Sequence, residues 1–241
     1  MNAIFRGMRL RFFCAPIPPP KGLIELSGDE LRHARVTRLR EAEEVELFDG
    51  KGGAARGRAV SVSAARVTIE VEESISGREA PLHIELAMAL IQNEKFELVL
   101  QKACELGAVR IIPLITARSE VRLERTTSKQ ERWRKILQEA VKQSGRSAVP
   151  ALDAPTPFAS ALVAGSSSFF FDADEPPSSL PHSVSSARIF IGPEGGWSTE
   201  EIKVARDAGA YFQTIGPRRL RAETAAIAAM VIVGARYGDL S

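Results

Sequence analysis

Cysteine and histidine are scarce in this chain, and their scarcity argues against several classes of site. Of the 241 residues, two are cysteine and three are histidine. Cys14 and Cys104 form no C-x-x-C pair, so neither a disulfide framework nor a cysteine-rich zinc site is indicated. The histidines are widely dispersed, at His33, His83 and His182. We therefore expect a protein that works without a bound metal.

Long apolar segments are also missing. No apolar run approaches the roughly 20 residues that a membrane-spanning helix needs. The start of the chain lacks the continuous apolar stretch of a signal peptide. Hydrophobic residues nevertheless make up 44% of the chain, which is ordinary for a globular protein of one or two domains. These features predict a cytoplasmic protein that has no contact with a membrane.

The net charge of +2 hides an uneven distribution. Residues 8–40 carry seven Lys and Arg against three Asp and Glu, and residues 118–146 carry nine against four. Binding of nucleic acid depends on local positive potential rather than on a high overall charge. The two segments are therefore candidates for an RNA surface, although two solvated basic faces would have the same composition.

Two turns each follow an apolar strand pattern and precede a helix pattern. The first is Ile191-Gly192-Pro193-Glu194-Gly195-Gly196-Trp197, and Ser198 and Glu201 after it have the spacing of a capping box. The second is Leu220-Arg221-Ala222-Glu223-Thr224-Ala225. Glycine permits close approach of a ligand, and a helix N-terminus offers unpaired N–H groups. Together the turns could frame one pocket at the carboxyl ends of parallel strands, while each alone also fits an ordinary turn.

The periodicity divides the chain near residues 74–81. Before this point, strand-like segments at 44–48, 57–63 and 66–72 alternate with turn signals and predict a small, mostly antiparallel barrel. A basic helix is predicted after Ser27, with Val36 and Leu39 packing inward. From Pro81 onward, apolar strands alternate with helices, and this pattern predicts an α/β domain with a largely parallel sheet.

Several further blocks, taken with the two turns, carry a family resemblance. They are Gln101-Lys102-Ala103-Cys104-Glu105-Leu106-Gly107, Gln143-Ser144-Gly145-Arg146, Ile215-Gly216-Pro217-Arg218 and Arg236-Tyr237-Gly238-Asp239-Leu240. In this order they resemble the ribosomal RNA small subunit methyltransferase E family of the SPOUT superfamily. The resemblance implies a PUA-like RNA-binding barrel at 8–76 and a SPOUT methyltransferase domain with a C-terminal trefoil knot at 77–241. Residues 1–7 are then expected to be a flexible extension.

The resemblance implies methylation of N3 of one uridine in 16S ribosomal RNA, with S-adenosylmethionine as the methyl donor. The residues expected at the cofactor are Leu90, Gln92, Ile191, Gly192, Glu194, Gly195, Gly196, Ile215, Gly216, Leu220, Arg221, Ala222, Thr224 and Ala225. Catalytic roles are expected for Arg146, Arg221 and Glu223, because the uridine must lose its N3 proton and arginine can stabilise the resulting charge. Equally, the arginines could bind phosphate, and Glu194 or Glu223 could serve only to organise a loop.

The partners implied by the resemblance are 16S rRNA or the small ribosomal subunit, and a second copy of the chain. RNA contacts are expected from Arg11, Arg32, Arg35, Arg38, Arg118 and Arg146. A homodimer through the last helix would bring residues of both subunits to one active site. Two alternatives remain open at this point: a SPOUT enzyme that methylates another position, such as a ribose 2′-hydroxyl, and a non-catalytic RNA-binding protein.

Overall fold

The computed structural model describes residues 10–119, 129–162 and 167–240. The chain forms two compact units, the first extending to Glu79 and including Val141–Val149, the second holding Ala80–Ala140 and everything from Pro150 onward. The division thus falls after Glu79 rather than after residue 76. The return of Val141–Val149 to the first unit is a long-range feature that no local pattern indicates. The predicted extension at residues 1–7 lies outside the described residues.

The first unit is built on a five-stranded sheet with the strand order β1-β3-β4-β5-β2. Its elements are β1 (Leu10–Phe13), β2 (Leu23–Glu25), α1 (Gly28–Val36), β3 (Glu44–Phe48), β4 (Ala54–Val62) and β5 (Val67–Ile75). Strands β1 and β3 pair in parallel, and the other neighbours are antiparallel. In β5, Val67, Ile69 and Val71 are buried at the alternating positions that the period-two pattern predicts. The sheet is mostly antiparallel as predicted, and its closure into a barrel stays a prediction.

Helix α1 begins after Ser27 as predicted, but the inward packing predicted for Val36 is wrong. Its side chain is 75% exposed, whereas Ala34 and Leu39 are buried. Two steps along an α-helix turn the side chain by roughly 200°, so Val36 lies opposite Ala34. The helix ends at Val36, and Arg38 then takes a left-handed φ of 56°. This reversal brings Leu39 to the core, where its N–H donates to the Ala34 carbonyl at 3.0 Å.

The second unit is built on a parallel sheet with the strand order β12-β10-β11-β6-β7-β8, and β9 pairs with β7. Its strands are β6 (His83–Ala89), β7 (Ala108–Ile115), β8 (Ala151–Leu152), β9 (Thr156–Pro157), β10 (Ser167–Phe171), β11 (Ser186–Ile191) and β12 (Tyr211–Gln213). Its helices are α2 (Asn93–Glu105), α4 (Phe158–Ala161), α5 (Thr199–Asp207) and α6 (Ala222–Tyr237), with α3 (Gln130–Ser144) running from this unit into the first. The predicted α/β domain with a parallel sheet is confirmed. The short elements β8, β9 and α4 gave no periodic signal.

One row of side chains crosses the parallel sheet and forms the core of one face. Because paired strands are in register, Phe212, Phe170, Phe190, Ala87 and Ile112 lie side by side across five strands. All of them are buried, and residues of α4 and α5 complete this cluster. Helix α6 packs on β6, β11 and α2 without joining the cluster, so helices cover both faces of the sheet.

The register also fixes where the candidate site lies. Phe171, the last residue of β10, is paired with Ile191 at the end of β11 and with Gln213 at the end of β12. The carboxyl ends of these strands therefore lie at one edge of the sheet. The segments that follow them, including both predicted turns, leave from that edge together.

Candidate active site

A cavity of about 350 Å³ opens at the carboxyl ends of β10, β11 and β12. Most of the residues predicted at the cofactor line it, namely Ile191, Gly192, Glu194, Gly195, Gly196, Ile215, Gly216, Leu220, Ala222 and Ala225. The two turns, separated by more than twenty residues in the sequence, thus form the walls of one pocket. The expectation that they act together rested on the ends of parallel strands meeting at one edge.

Four of the predicted cofactor residues do not line this cavity: Leu90, Gln92, Arg221 and Thr224. Leu90 is buried, and its N–H donates to the Leu114 carbonyl at 3.0 Å, so it completes the sheet rather than a pocket wall. Arg221 is the exposed residue before α6, and its carbonyl accepts from the Ala225 N–H. Helical geometry explains Thr224, because Ala222 and Ala225 lie three positions apart on the face toward the cavity and Thr224 points away from that face.

One wall was missed by sequence reasoning. The segment after β10 lines the cavity with Phe171, Asp172, Ala173, Asp174 and Glu175. Gln213, Arg218 and Arg219 also line it. The segment after β10 contains no glycine, so it carries no turn signal of the kind that marked the other two walls. Its position follows from the strand order, in which β10 lies between β11 and β12.

Two glycines of the first turn are required by geometry. A Cβ on Gly192 would lie 3.0 Å from the Trp197 ring, which lines the cavity and donates its Nε1–H to the Phe171 carbonyl at 3.2 Å. Gly196 has a φ of +69°, and its N–H donates to the Pro193 carbonyl at 2.9 Å. A residue with a side chain would be strained at Gly196 and crowded at Gly192.

The capping box after this turn is confirmed, and one of its members has a second contact. Ser198 accepts from the Glu201 N–H, and Glu201 Oε2 accepts from the Ser198 N–H at 2.8 Å. Glu201 Oε1 accepts from the Ala117 N–H at 2.8 Å, which ties the segment after β7 to the turn. Next to Ala117, Arg118 donates from Nη1 to the Gly195 carbonyl at 2.9 Å. Arg118, predicted at the target uridine, therefore lines the cavity and supports the Gly192–Gly196 turn.

Beside the cavity lies a charged cluster made of Lys95, Glu194, Arg221 and Glu223. Lys95 donates from Nζ to Glu194 Oε1 at 2.8 Å, and this hydrogen bond holds the pKa of Glu194 below its usual range. The same hydrogen bond is the main reason that the pKa of Lys95 is raised. The charge of Glu223 raises this pKa further, and the charge of Arg221 acts to lower it. Glu223 Oε2 is buried and has no hydrogen-bond partner among the described residues. Glu194 belongs both to this cluster and to the cavity lining.

Two of the arginines predicted at RNA are buried in the first unit. Arg11 is 3% exposed, donates to Glu46 Oε2 at 3.1 Å and to the Val141 carbonyl at 2.9 Å. Burial lowers its pKa, and the Glu46 carboxylate counteracts that effect. Arg146 is likewise 3% exposed and donates from Nε and Nη2 to Glu79 Oε2 at 2.9 and 2.7 Å. Both guanidinium groups form buried ion pairs within the first unit. The roles predicted for them at phosphate and at uridine stay predictions.

The remaining predicted RNA contacts are exposed. Arg32 pairs with Asp29 at 2.9 Å within α1, and Arg35 donates to the Ala64 carbonyl. Arg38 is exposed on the reversal after the helix. These three side chains form a basic edge on the first unit, where a phosphate could reach them.

Within residues 10–119, 129–162 and 167–240, no three His, Cys, Asp or Glu side chains are grouped as a metal would need. Over the same residues, no helix is both long and apolar enough to span a bilayer. Neither Cys14 nor Cys104 forms a disulfide in this part of the chain.

Comparisons with known proteins agree on the family. The model for an RNA methyltransferase domain matches residues 78–234, and the model for an RNA methyltransferase PUA domain matches residues 26–72. A Ribosomal RNA small subunit methyltransferase E from Synechocystis sp. is 32% identical, over 95% of this chain and 78% of its own length. The Bacillus subtilis protein of the same name is 33% identical, over 85% of this chain and 87% of its own.

A solved structure of a protein with the same name includes a bound ligand. It is a Ribosomal RNA small subunit methyltransferase E from Neisseria gonorrhoeae bound to S-adenosyl methionine, with a TM-score of 0.90, 30% identity, and coverage of 97% of this chain and 100% of its own. With one model matching more than half of the chain and relatives matching nearly all of it, this chain belongs to the ribosomal RNA small subunit methyltransferase E family of RNA methyltransferases.

Proposed function

We propose that this protein transfers a methyl group from S-adenosylmethionine to N3 of one uridine in the 16S rRNA of the small ribosomal subunit, in the cytoplasm. The observation that carries the proposal is the cavity at the ends of β10, β11 and β12, walled by both predicted turns. The Neisseria relative, similar over almost its whole length, is bound to S-adenosyl methionine.

The residues of the cavity fit this cofactor. Its volume of about 350 Å³ lies in the range of small-molecule sites. Trp197, Ile191, Ile215 and Leu220 offer apolar surface for an adenine ring. The Gly192–Gly196 turn and the segment around Gly216, whose φ is +66°, bring backbone groups close to a ligand. The lining thus combines apolar surface with charged side chains, among them Asp172, Asp174 and Glu175.

Methylation at N3 requires a group that accepts the N3 proton. Bound S-adenosylmethionine supplies a sulfonium methyl group, to which the N3 electron pair bonds while the C–S bonding pair stays on sulfur. Glu223 accepts the N3 proton on its Oε2, which is buried and has no donor in the described part of the chain. Arg221 stabilises the negative charge that develops on the uracil oxygens. Arg118 and the Glu201 carboxylate keep the cofactor turn in position through Gly195, Ala117 and Ser198.

The proposed architecture has two functional domains. Residues 8–76 form a closed PUA-like barrel that binds RNA, and residues 77–241 form the catalytic domain with a trefoil knot at its C-terminal end. Support for the knot comes from the strand order, in which β12 pairs with β10 while α6, later in the chain, packs on β6 and β11. The protein acts as a homodimer through α6, where Val231 and Ile232 leave apolar surface exposed.

The cofactor assignment is tested by replacing Gly196 with Val. The substitution should weaken binding of S-adenosylmethionine in calorimetry by at least roughly tenfold, because a β-branched residue is strained by about 1–2 kcal/mol at this φ and distorts the turn. Gly209→Val is the matched control, since Gly209 has a φ of +75° with open space around it and does not line the cavity. Undiminished binding by a folded Gly196→Val variant would remove the turn from the cofactor site.

The reaction is tested on its product. Mass mapping of small-subunit rRNA from cells with and without the protein should show one uridine that loses a base methyl group. A methyl group on a ribose would favour the alternative position of modification. No difference at all, together with no measurable cofactor affinity, would favour a non-catalytic RNA-binding protein.

A further inference from the structure

Lys95, on the first turn of α2, occupies the middle of the charged cluster beside the cavity. An ammonium group has three N–H donors. One of them is used on Glu194 Oε1 at 2.8 Å, and among the described residues the other two have no partner. Because Glu194 lines the cavity, its hydrogen bond holds Lys95 at the cavity edge. The two remaining N–H donors of Lys95 are available there for a ligand.

Glu223 presents the complementary group at the same place. Its Oε2 is buried without a donor among the described residues. A buried carboxylate oxygen without a donor is unfavourable, and a ligand with an N–H donor at this place would satisfy it. Glu223 and Arg221 both lie close enough for their charges to act on Lys95, so the cluster brings two cations and this acceptor into one neighbourhood.

This arrangement matches the edge of one base. The Watson–Crick edge of uracil presents a carbonyl acceptor, the N3–H donor and a second carbonyl acceptor. A carboxylate that accepts the N3–H bond, with a cation on each side to donate to the two carbonyls, is complementary to this edge of uracil. Cytosine presents an acceptor at N3, which would face the Glu223 carboxylate with no proton between them. Recognition of unpaired bases through this edge is common in RNA-binding proteins.

From this complementarity we infer that Lys95 is a uracil-binding residue: it donates to one uracil carbonyl while Glu223 faces N3–H and Arg221 faces the other carbonyl. This inference rests on the proposed function and adds to it a residue that selects uracil. Lys95 is held in place by Glu194, so the same side chain links the cofactor turn to the base. The charge of Lys95 also stabilises the oxygen on which negative charge develops as N3 loses its proton.

The test is a double-mutant cycle between Lys95 and the base. RNA substrates carry uridine, 2-thiouridine or 4-thiouridine at the target, and sulfur accepts hydrogen bonds more weakly than oxygen. We expect one of the thio bases to lower kcat/KM of the wild type roughly tenfold more than it lowers that of Lys95→Met, which should be slower than the wild type on uridine. Effects of sulfur on N3 acidity are common to both enzymes and cancel in the cycle.

Two variants complete the design. Lys95→Arg retains a donor and should recover the sensitivity to the thio base. Lys102→Met makes the same change on the same helix, where Lys102 pairs with Glu105 at 2.9 Å, and should leave the cycle unchanged. Calorimetry with S-adenosylmethionine checks that Lys95→Met still binds the cofactor. Equal thio effects in wild type and Lys95→Met would overturn the inference, whereas a wild type that does not methylate N3 would overturn the proposed function itself.

Discussion

At the scale of single residues, Glu79 shows how one carboxylate organises a segment from a distant part of the sequence. Its Oε1 accepts from the N–H groups of Ser147 and Ala148 at 2.6 and 2.9 Å, and its Oε2 accepts from Arg146. Burial by itself would raise the pKa of Glu79. The two backbone N–H groups and the Arg146 guanidinium outweigh burial and hold that pKa below its usual range.

We predict that Glu79→Gln destabilises the protein by about 2–4 kcal/mol at pH 7, because Arg146 loses the charge of its partner and stays buried. Since the pKa of Glu79 is depressed in the folded state, its contribution is fully present above the unfolded value of about 4.3. The contribution is lost as the pH falls through the folded pKa. Urea unfolding should therefore show a difference between variant and wild type that narrows below about pH 4.

Glu73→Gln is the control for this prediction. Glu73 also pairs with an arginine, Arg56, but the Glu73 side chain is 54% exposed and that of Arg56 is 35% exposed. An exposed pair contributes about 0–1 kcal/mol, so this variant should unfold close to the wild type. Equal effects of the two substitutions would contradict the role given to Glu79.

At the scale of elements, α1 and the reversal after it display the basic edge formed by Arg32, Arg35 and Arg38. Each is exposed, in contrast to Arg11 on β1, which is buried. The helix displays its arginines because its buried face is limited to Ala34, and Leu39 enters the core only after the chain has reversed. An arginine on a short helix at the surface is free to reach phosphate, and an arginine pointing into a sheet core is not.

We predict that replacing Arg32, Arg35 and Arg38 with Gln weakens RNA binding and reduces the salt dependence of affinity. The slope of log K against log salt should fall by about 0.7–0.9 for each phosphate that the variant no longer neutralises. Affinity for S-adenosylmethionine should survive. The matched variant replaces Arg56, Arg58 and Arg66, which lie in the same unit and each pair with a glutamate. If both triple variants change the slope equally, RNA binding depends on overall charge and not on this edge.

At the scale of the whole molecule, α6 both packs in the core of the second unit and lines the cavity. Ala226, Ala229, Met230 and Val233 are buried within the second unit, and Ala222 and Ala225 line the cavity. On the remaining face, Val231 and Ile232 are each 41% exposed. A helix that is apolar all round is normally covered on every side, so this face suits a second copy of the chain.

We predict that Ile232→Glu converts the protein from dimer to monomer in light scattering coupled to size exclusion, because a buried charge without a partner opposes association. Val60→Glu makes the same change at an exposed apolar residue of the first unit and should leave the mass unchanged. A monomeric wild type would refute the dimer. A dimeric Ile232→Glu variant would move the interface away from this face of α6.

What the sequence determined by itself was local. The capping box of Ser198 and Glu201, the start of α1 after Ser27 and the parallel sheet all follow from spacings within a few residues or from a repeating period. The two turns could be predicted as pocket walls because glycine and helix starts are local signals.

Only the tertiary structure decided which side chains line the cavity and which are buried in ion pairs. The wall after β10, with Asp172 and Asp174, depends on the order of strands in the sheet, and the cluster around Lys95 depends on α2 and α6 packing together. Arg11 and Arg146 look like any basic residues in the sequence, yet their ion pairs with Glu46 and Glu79 lie in the interior. Burial and pairing are set by partners far along the chain, so no short pattern contains them.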